Sequence, residues 1–462
     1  LKRPILTIGL VAALAIVGWI GIRHEGERSL ERGIARLDAG LPPGATFSYA
    51  TAAPHLLTRG ASFRAVVYKQ DGAVLTMAAL DIGGFTGNAA TGLGFARIHA
   101  TGLQYLSPTL NATVSDLRLR GLAMPGHERS AEILPDIASV TLNSGQLANL
   151  DLHTSGIQDL QIGTASLNAY GQGHQSNFTL GKLTLQTDTT ANTPQLAQIL
   201  ARTGPLHLTL DQWSERNIDI ASVLANYNVT QARPFPTGPF PTGPFPTGHV
   251  TTTLANLTAT TPKSSLSMAR FTGTRDVTPT HVTVSVSATG LTTPALLALD
   301  ARAATGSINA AWTLDRPHAH LHLDHLDIAA PNLAALTLTM DLDQISLSNT
   351  ALNTARFTQG SVLFTDRGIM NHIIAQAAAR QNTTPDALRA AYAQRAQLIG
   401  AIDPNLGAVL SFMTQDPNTP TNTHTLLITM NPPTPLPLTQ MTTPGTNPMQ
   451  ALQKLGMTVH QK

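Results

Sequence analysis

The chain has 462 residues, a formal net charge of +2, 42% hydrophobic residues, only 12% charged residues and no cysteine. That length exceeds one ordinary domain and can bury a sizeable core, while the missing cysteine excludes disulfides, thiol catalysis and zinc–thiolate centres. Lysine occurs only at positions 2, 69, 182, 263, 454 and 462 and no basic run interleaves with aromatics, so nucleic acid is not an expected partner.

Thr, Asn, Ser and Gln fill the polar positions. This composition suits half-exposed strands, where Thr and Val fit the pleated surface. After Lys2 and Arg3, residues 4–22 (PILTIGLVAALAIVGWIGI) carry no charge. As a helix they would span about 28 Å, close to the ~30 Å hydrocarbon core of a bilayer, with Trp19 near one interface. Ala13-Leu14-Ala15 has the small-x-small form of a signal-peptide cleavage site. The apolar run continues past it to Ile22, so residues 1–23 are read as an uncleaved transmembrane anchor. Arg23, Arg28, Arg32 and Arg36 follow the span and oppose an N-in orientation. Long translocated domains are weakly governed by such charges, and a cysteine-free body fits an oxidising compartment. An N-in, single-pass protein of a bacterial inner membrane, with its body in the periplasm, is expected.

Residues 24–43 read as a membrane-proximal helix, Glu27 to Leu37, ended by Pro42-Pro43. Residues 44–233 form a first β-rich unit of mostly short strands, with Phe63-Ala65-Val67 on one strand face, and Val114-Asp116-Arg118 on another, opposed by Leu117-Leu119. Gly102-Leu103 and Gly121-Leu122 recur without a solenoid period. Residues 234–248 are three copies of PFPTG; proline at two positions in five forbids regular structure, so this is a loop. Residues 249–352 form a second β-rich unit with Val282-Val284-Val286 alternating, and Leu336-Leu338-Met340-Leu342 changing parity to Ile345-Leu347 through a bulge. The two units share an order of strand, Thr-Pro helix start (Thr193-Pro194, Thr293-Pro294), short helix and strand, which suggests a duplication. Residues 353–462 form an α+β section. It holds helices over Asp366 to Gln381 (stripe Ile369, Ile373, Ala377) and Thr384 to Ile399 (stripe Leu388, Ala391, Arg395, Leu398). A strand over Thr423 to Met430 follows, then NPPTPLPL and a last helix from Asn447-Pro448 to near Gly456. The fold class expected is mainly β: an elongated or curved antiparallel sheet assembly, with the N-terminal span and a short helical C-terminal section.

The stretch LDRPHAHLHLDHLDIAAPNLAALTLTMDLDQISL, followed by FTDRGIMNHIIAQAAARQNTTPDALR, resembles a class of single-anchor bacterial envelope proteins. More loosely the chain is similar to YdgA-like and AsmA-like proteins. That resemblance implies an N-terminal anchor, a long periplasmic β-rich body and a groove that holds lipid; it brings no catalytic residues.

The sharpest local constellation is His318, His320, His322 and Asp324 on one face of a predicted strand, with Ala319, Leu321 and Leu323 on the other. Alternate side chains stand about 7 Å apart, from which neighbouring imidazoles could share a metal. A solvated face of a half-buried strand gives the same pattern and is the reading taken, so no metal and no cofactor are assigned. Asp341 and Asp343 alternate on the outward face of a strand with no partner acid or EF-hand glycine, and are read as solvent-facing. Gly92-Leu93-Gly94 lacks the third glycine of a dinucleotide loop, and GxxxxGK[ST], HExxH and GxSxG do not occur. The expected function is therefore non-enzymatic: binding of an apolar (lipid) or other envelope ligand, with scaffolding of another envelope protein as the alternative and a hydrolase, for which no residues can be named, third.

Overall fold

The computed structural model describes residues 44–55, 59–88, 92–125, 139–154, 157–187, 204–222, 248–293, 305–331, 333–345, 354–415, 424–441 and 454–461. The expected anchor, the membrane-proximal helix, both Thr-Pro helices, nearly all of the PFPTG repeat and most of the last helix lie outside these residues. Among the described residues no helix is long and apolar enough to cross a membrane.

The described elements are, in order, β1 (Thr46–Ser48), β2 (Thr51–His55), β3 (Gly60–Gln70), β4 (Ala73–Gly83), β5 (Thr86–Asn88), β6 (Gly92–Leu106), β7 (Leu110–Met124), β8 (Leu142–Thr154), β9 (Ile157–Tyr170), β10 (Ser176–Thr187), β11 (His207–Ile218), β12 (Gly248–Thr261), β13 (Ser264–Val277), β14 (His281–Leu291), β15 (Gly306–Asp315), β16 (His320–Ala330), β17 (Ala334–Asp343) and β18 (Arg356–Asp366). Helices α1 (Ile369–Arg380), α2 (Pro385–Gly400) and α3 (Pro404–Thr414) follow, then β19 (Thr425–Met430), β20 (Leu436–Pro437), α4 (Leu438–Met441) and β21 (Met457–Gln461). The protein is mainly β and antiparallel, as its composition implies. The strands are long rather than short: β6 and β7 have 15 residues each.

The chain divides into two compact units, one up to residue 232 together with 252–265, the other comprising 233–251 and 266–462. In the first unit β1 and β2 pair with β3, and β3-β4-β6-β7-β8-β9-β10-β11 run as an antiparallel meander with β5 on β6. The turn from β3 to β4 is Asp71-Gly72, both with positive φ (48° and 77°), the conformation that matches a two-residue hairpin to strand twist. Paired inward side chains build the core across the strands: Phe63 opposite Leu80, Leu80 opposite Ala100, Ala100 opposite Leu117 and Leu117 opposite Leu147. Each large apolar side chain fully buried in this way contributes about 1.5–3 kcal/mol.

The inward period is not a constant two. In β3 the buried residues are Ala61 and Phe63, then Val66 and Tyr68; Ala65 between them is exposed with φ +49°. In β7 Val114 and Leu117 are both buried, so Val114 does not share a face with Asp116 and Arg118. Both strand faces read from simple alternation are corrected by this skip. The skip recurs at one level across β3, β4 and β6 to β11: extended from the pairs on either side, the register sets Ala65 against Ala78, then Gly102, Ser115, Asn149, Gly163, Lys182 and Asp211. Left-handed backbone falls on alternate strands of this row, at Ala65, Gly102, Asn149 and Lys182. Six positions away along the strands a second such row holds Arg59, Gly84, Gly121, Ala169 and Asn217, all with positive φ. Bulge-like positions of this kind bend a strand and strengthen its twist. The glycines of the two Gly-Leu pairs belong to these two rows, Gly102 to the first and Gly121 to the second.

In the second unit β13-β14-β15-β16-β17-β18-β19-β21 form an antiparallel meander, with β20 on β18. The alternation of Val282, Val284 and Val286 holds, with Thr283 and Ser285 exposed between them. The parity change after Leu342 occurs at Gln344, whose φ of +58° lets Leu342 and Ile345 both enter the core; it ends β17 rather than interrupting it. Asp366 ends β18 instead of starting a helix, and its Oδ1 accepts the backbone N–H groups of Gly368 (2.8 Å) and Met370 (3.3 Å) at the start of α1. The buried stripe of α1 is Ile374 and Ala378, one residue on from the stripe expected, and Ile373 is exposed. Helix α2 starts as expected, the Thr384 hydroxyl accepting from Ala387 N–H ahead of Pro385. It buries Leu388 and Ala396, while Ala391, Arg395 and Leu398 face water. Helix α3 was not anticipated, although Asp403-Pro404 carries the same start signal, Asp403 Oδ1 accepting from Asn405 and Leu406. Strand β21 was likewise missed.

Candidate functional site

Strand β16 brings His320 and His322 onto one outward face, opposite β17. His322 pairs directly with Asp341, and Asp324 is the extra residue of a bulge: Trp312 opposes Leu323 while Ala311 opposes His325. His318 lies before the strand, next to Ala319 with φ +51°, and its Nδ1 sits 2.7 Å from Asp315. The four residues expected on one strand therefore separate: His318 joins Asp315 and His281, whereas His320, His322 and Asp324 surround Asp341.

Asp341 is buried rather than solvent-facing, while Asp343 keeps a side chain 45% exposed. Asp341 is 7% exposed, its Oδ1 hydrogen-bonded to His322 Nδ1 and 3.4 Å from His320 Nε2, while its Oδ2 accepts from Gln359 Nε2 at 2.6 Å. Asp343 Oδ1 lies 2.7 Å from His320 Nδ1, and Asp324 Oδ1 lies 3.4 Å from His322 Nε2. The sequence signal for this was the second alternating polar run, Asp341-Leu342-Asp343, on the strand that follows the histidines. The hydrogen bond to Asp341 holds the His322 imidazole above its ordinary range, against partial desolvation and with help from the charges of Asp341 and Asp324. Burial alone would raise the Asp341 carboxyl; the hydrogen bonds from His322 and Gln359 and the neighbouring imidazoles outweigh it and leave the group below the usual carboxylate range. One ligand atom each from His320, His322 and Asp341 lie within 4.8 Å of one another.

A second group with the same spacing is Asp151, His153 and Asp159 at the β8–β9 hairpin. Its single imidazole is already engaged: Nδ1 bonds the Gln158 carbonyl at 2.5 Å and Nε2 lies 3.0 Å from Asp151 Oδ1. It is an ion pair closing a hairpin.

Histidine–aspartate pairing recurs on the polar sheet faces, as in His55–Asp81–Arg97, where Nε2–Oδ2 is 3.0 Å and the guanidinium is 3.3 Å away. Asp81 and Arg97 line a shallow concavity together with Arg64, His99 and Thr101. Beside it the hydrogen bond from His99 (2.8 Å) holds the Asp116 carboxyl below its usual range, opposed by desolvation and reinforced by Arg118 (2.9 Å). A carboxyl depressed in the folded state stabilises the protein above its unfolded value of about 4, and that contribution is lost as pH falls through the folded value. Urea midpoints between pH ~5 and ~3 are therefore expected to fall more steeply for the wild type than for Asp116→Asn. Parallel falls in the two proteins would refute the linkage.

A family model described as an uncharacterized protein matches residues 327–462, which begin within β16 and take in the section from β17 to β21. No curated protein and no solved structure matches the chain.

Proposed function

We propose that the chain is a non-catalytic bacterial envelope protein, an elongated or curved antiparallel sheet assembly carried on an N-terminal membrane span, whose second unit holds the acyl chain of a lipid. The observation that carries this reading is the second unit's apolar sheet face. Phe271, Ala288, Ile308, Ile328, Leu336, Phe364 and Leu426 follow one another across seven paired strands. A parallel row of Gly273, Val286, Ala310, Leu326, Leu338, Val362 and Ile428 lies beside it. At steps of about 4.8 Å each row runs roughly 29 Å. One end of the face is closed, where Leu342, Phe357, Leu438 and Leu455 pack together, and Phe412 of α3 sits edge-on to Phe364 at 5.8 Å. In the middle of the first row Ile308 and Ile328, directly opposed, stay 37% and 42% exposed. Contiguous apolar surface open to solvent is what an apolar ligand covers. The anchor reading rests on the uncharged run of residues 4–22.

Native mass spectrometry of the full chain, purified in detergent from a carbonate-washed membrane pellet, is expected to show bound lipid. Ile308→Asn with Ile328→Asn should lower its occupancy at a fixed lipid concentration at least about tenfold, equivalent to 1.4 kcal/mol. A co-purifying protein without lipid would replace this reading with scaffolding. Release of the chain by carbonate would refute the anchor.

A further inference from the structure

The group around Asp341 has the donor layout of a metal centre. His320 places Nδ1 on Asp343 (2.7 Å), a carboxylate that keeps the proton on that nitrogen, and its Nε2 lies 3.4 Å from Asp341 Oδ1. His322 sets its Nε2 3.4 Å from Asp324 Oδ1, and its Nδ1, which donates to the same Asp341 oxygen, would exchange that proton for the ion. Two imidazoles thus turn one nitrogen each toward a shared carboxylate oxygen and the other toward a carboxylate of its own. That is how protein-bound metal ions are served, the outer carboxylates fixing tautomer and ring orientation and raising ligand basicity. Gln359 Nε2 does the same for Asp341 by holding Oδ2 at 2.6 Å.

The scaffold suits the task. His320 and His322 are alternate residues of one strand, and Asp341 is opposite His322 on the next, so the donors are positioned by a ladder of backbone hydrogen bonds rather than by a loop. Around a tetrahedral ion at about 2.0–2.1 Å, ligand atoms stand about 3.3 Å apart. The three donors already lie within 4.8 Å of one another. The set is nitrogen and oxygen without sulfur, and Asp324, Asp341 and Asp343 supply three negative charges to balance a dication.

We propose that His320 Nε2, His322 Nδ1 and Asp341 Oδ1 bind one first-row divalent ion of the zinc type, with Asp343, Asp324 and Gln359 as outer partners and water in the fourth position.

The test is calorimetric zinc titration of the chelator-stripped full chain in detergent micelles, joined to the electronic spectrum of the cobalt(II) form. One stoichiometric step is expected, with tetrahedral cobalt bands that one equivalent of zinc abolishes. His320→Gln with His322→Gln should remove the step. Asp343→Asn, which leaves all three ligands in place, should weaken it about 10–100-fold. His318→Gln should leave it unchanged. Circular dichroism melts confirm that each variant is folded, and a variant that fails this check is replaced by Asp341→Asn. Absence of a stoichiometric step in the wild type, or its persistence in the folded double variant, overturns the proposal; so does a cobalt spectrum without tetrahedral bands.

Discussion

Phe63→Ala is expected to lower the unfolding free energy by about 3–5 kcal/mol, the range for deleting a fully buried aromatic ring. Phe63 is 0% exposed at the centre of the first unit's core. Its ring stands edge-on to Phe47 (6.2 Å, 81°) and to Tyr49 (5.6 Å, 74°), so one ring anchors the short strand β1 and the residue after it onto β3. Edge-to-face pairs add about 0.5–1.5 kcal/mol to area burial. The neighbours come from three paired strands and cannot collapse into the space without breaking register with Leu80. Such a loss is a large share of a domain's usual stability of about 5–15 kcal/mol. Urea denaturation followed by circular dichroism checks it, and a change below about 1 kcal/mol would show that the ring is not a core anchor.

Gly84→Val tests the second row of left-handed positions. Gly84 has φ +65°, and a Cβ placed there would lie 2.3 Å from Ala96 Cβ, on a strand bonded to it through Ala96 N–H and the Gly84 carbonyl (3.3 Å). A side chain in left-handed backbone costs about 1–2 kcal/mol, and forcing bulk into a filled space costs about 1–3 kcal/mol more. A total near 2–5 kcal/mol is expected. Gly72→Val, at φ +77° with nothing within 4 Å, should carry only the first of these costs. Equal losses at the two glycines would mean that the close approach of β4 and β6 is not a constraint.

Local chemistry made several elements readable from the sequence. Sparse charge with abundant Thr, Val and Leu implied a β-rich body, and Thr384-Pro385 marks a helix start because it acts through its own backbone. Strand faces were legible only where the period stays at two, as at Val282, Val284 and Val286. In β3 and β7 the left-handed positions and their partners insert a step of three, and Ala65 and Ser115 carry no residue-type signal for it.

The same limit hid the centre of the candidate site. Counting back from Ala330 opposite Ala334 would set His322 against Leu342, a polar side chain against a core one. The extra residue in β16 moves the pairing by one, so that His322 meets Asp341 while Leu321 and Leu342 share the apolar face. His320, His322 and Asp324 were therefore visible in the sequence as one group, but the pairing with Asp341 and Asp343 was not. Alternation is fixed by neighbouring residues in one strand; register is fixed by the packing of both sheet faces at once, and only the folded sheet supplies that.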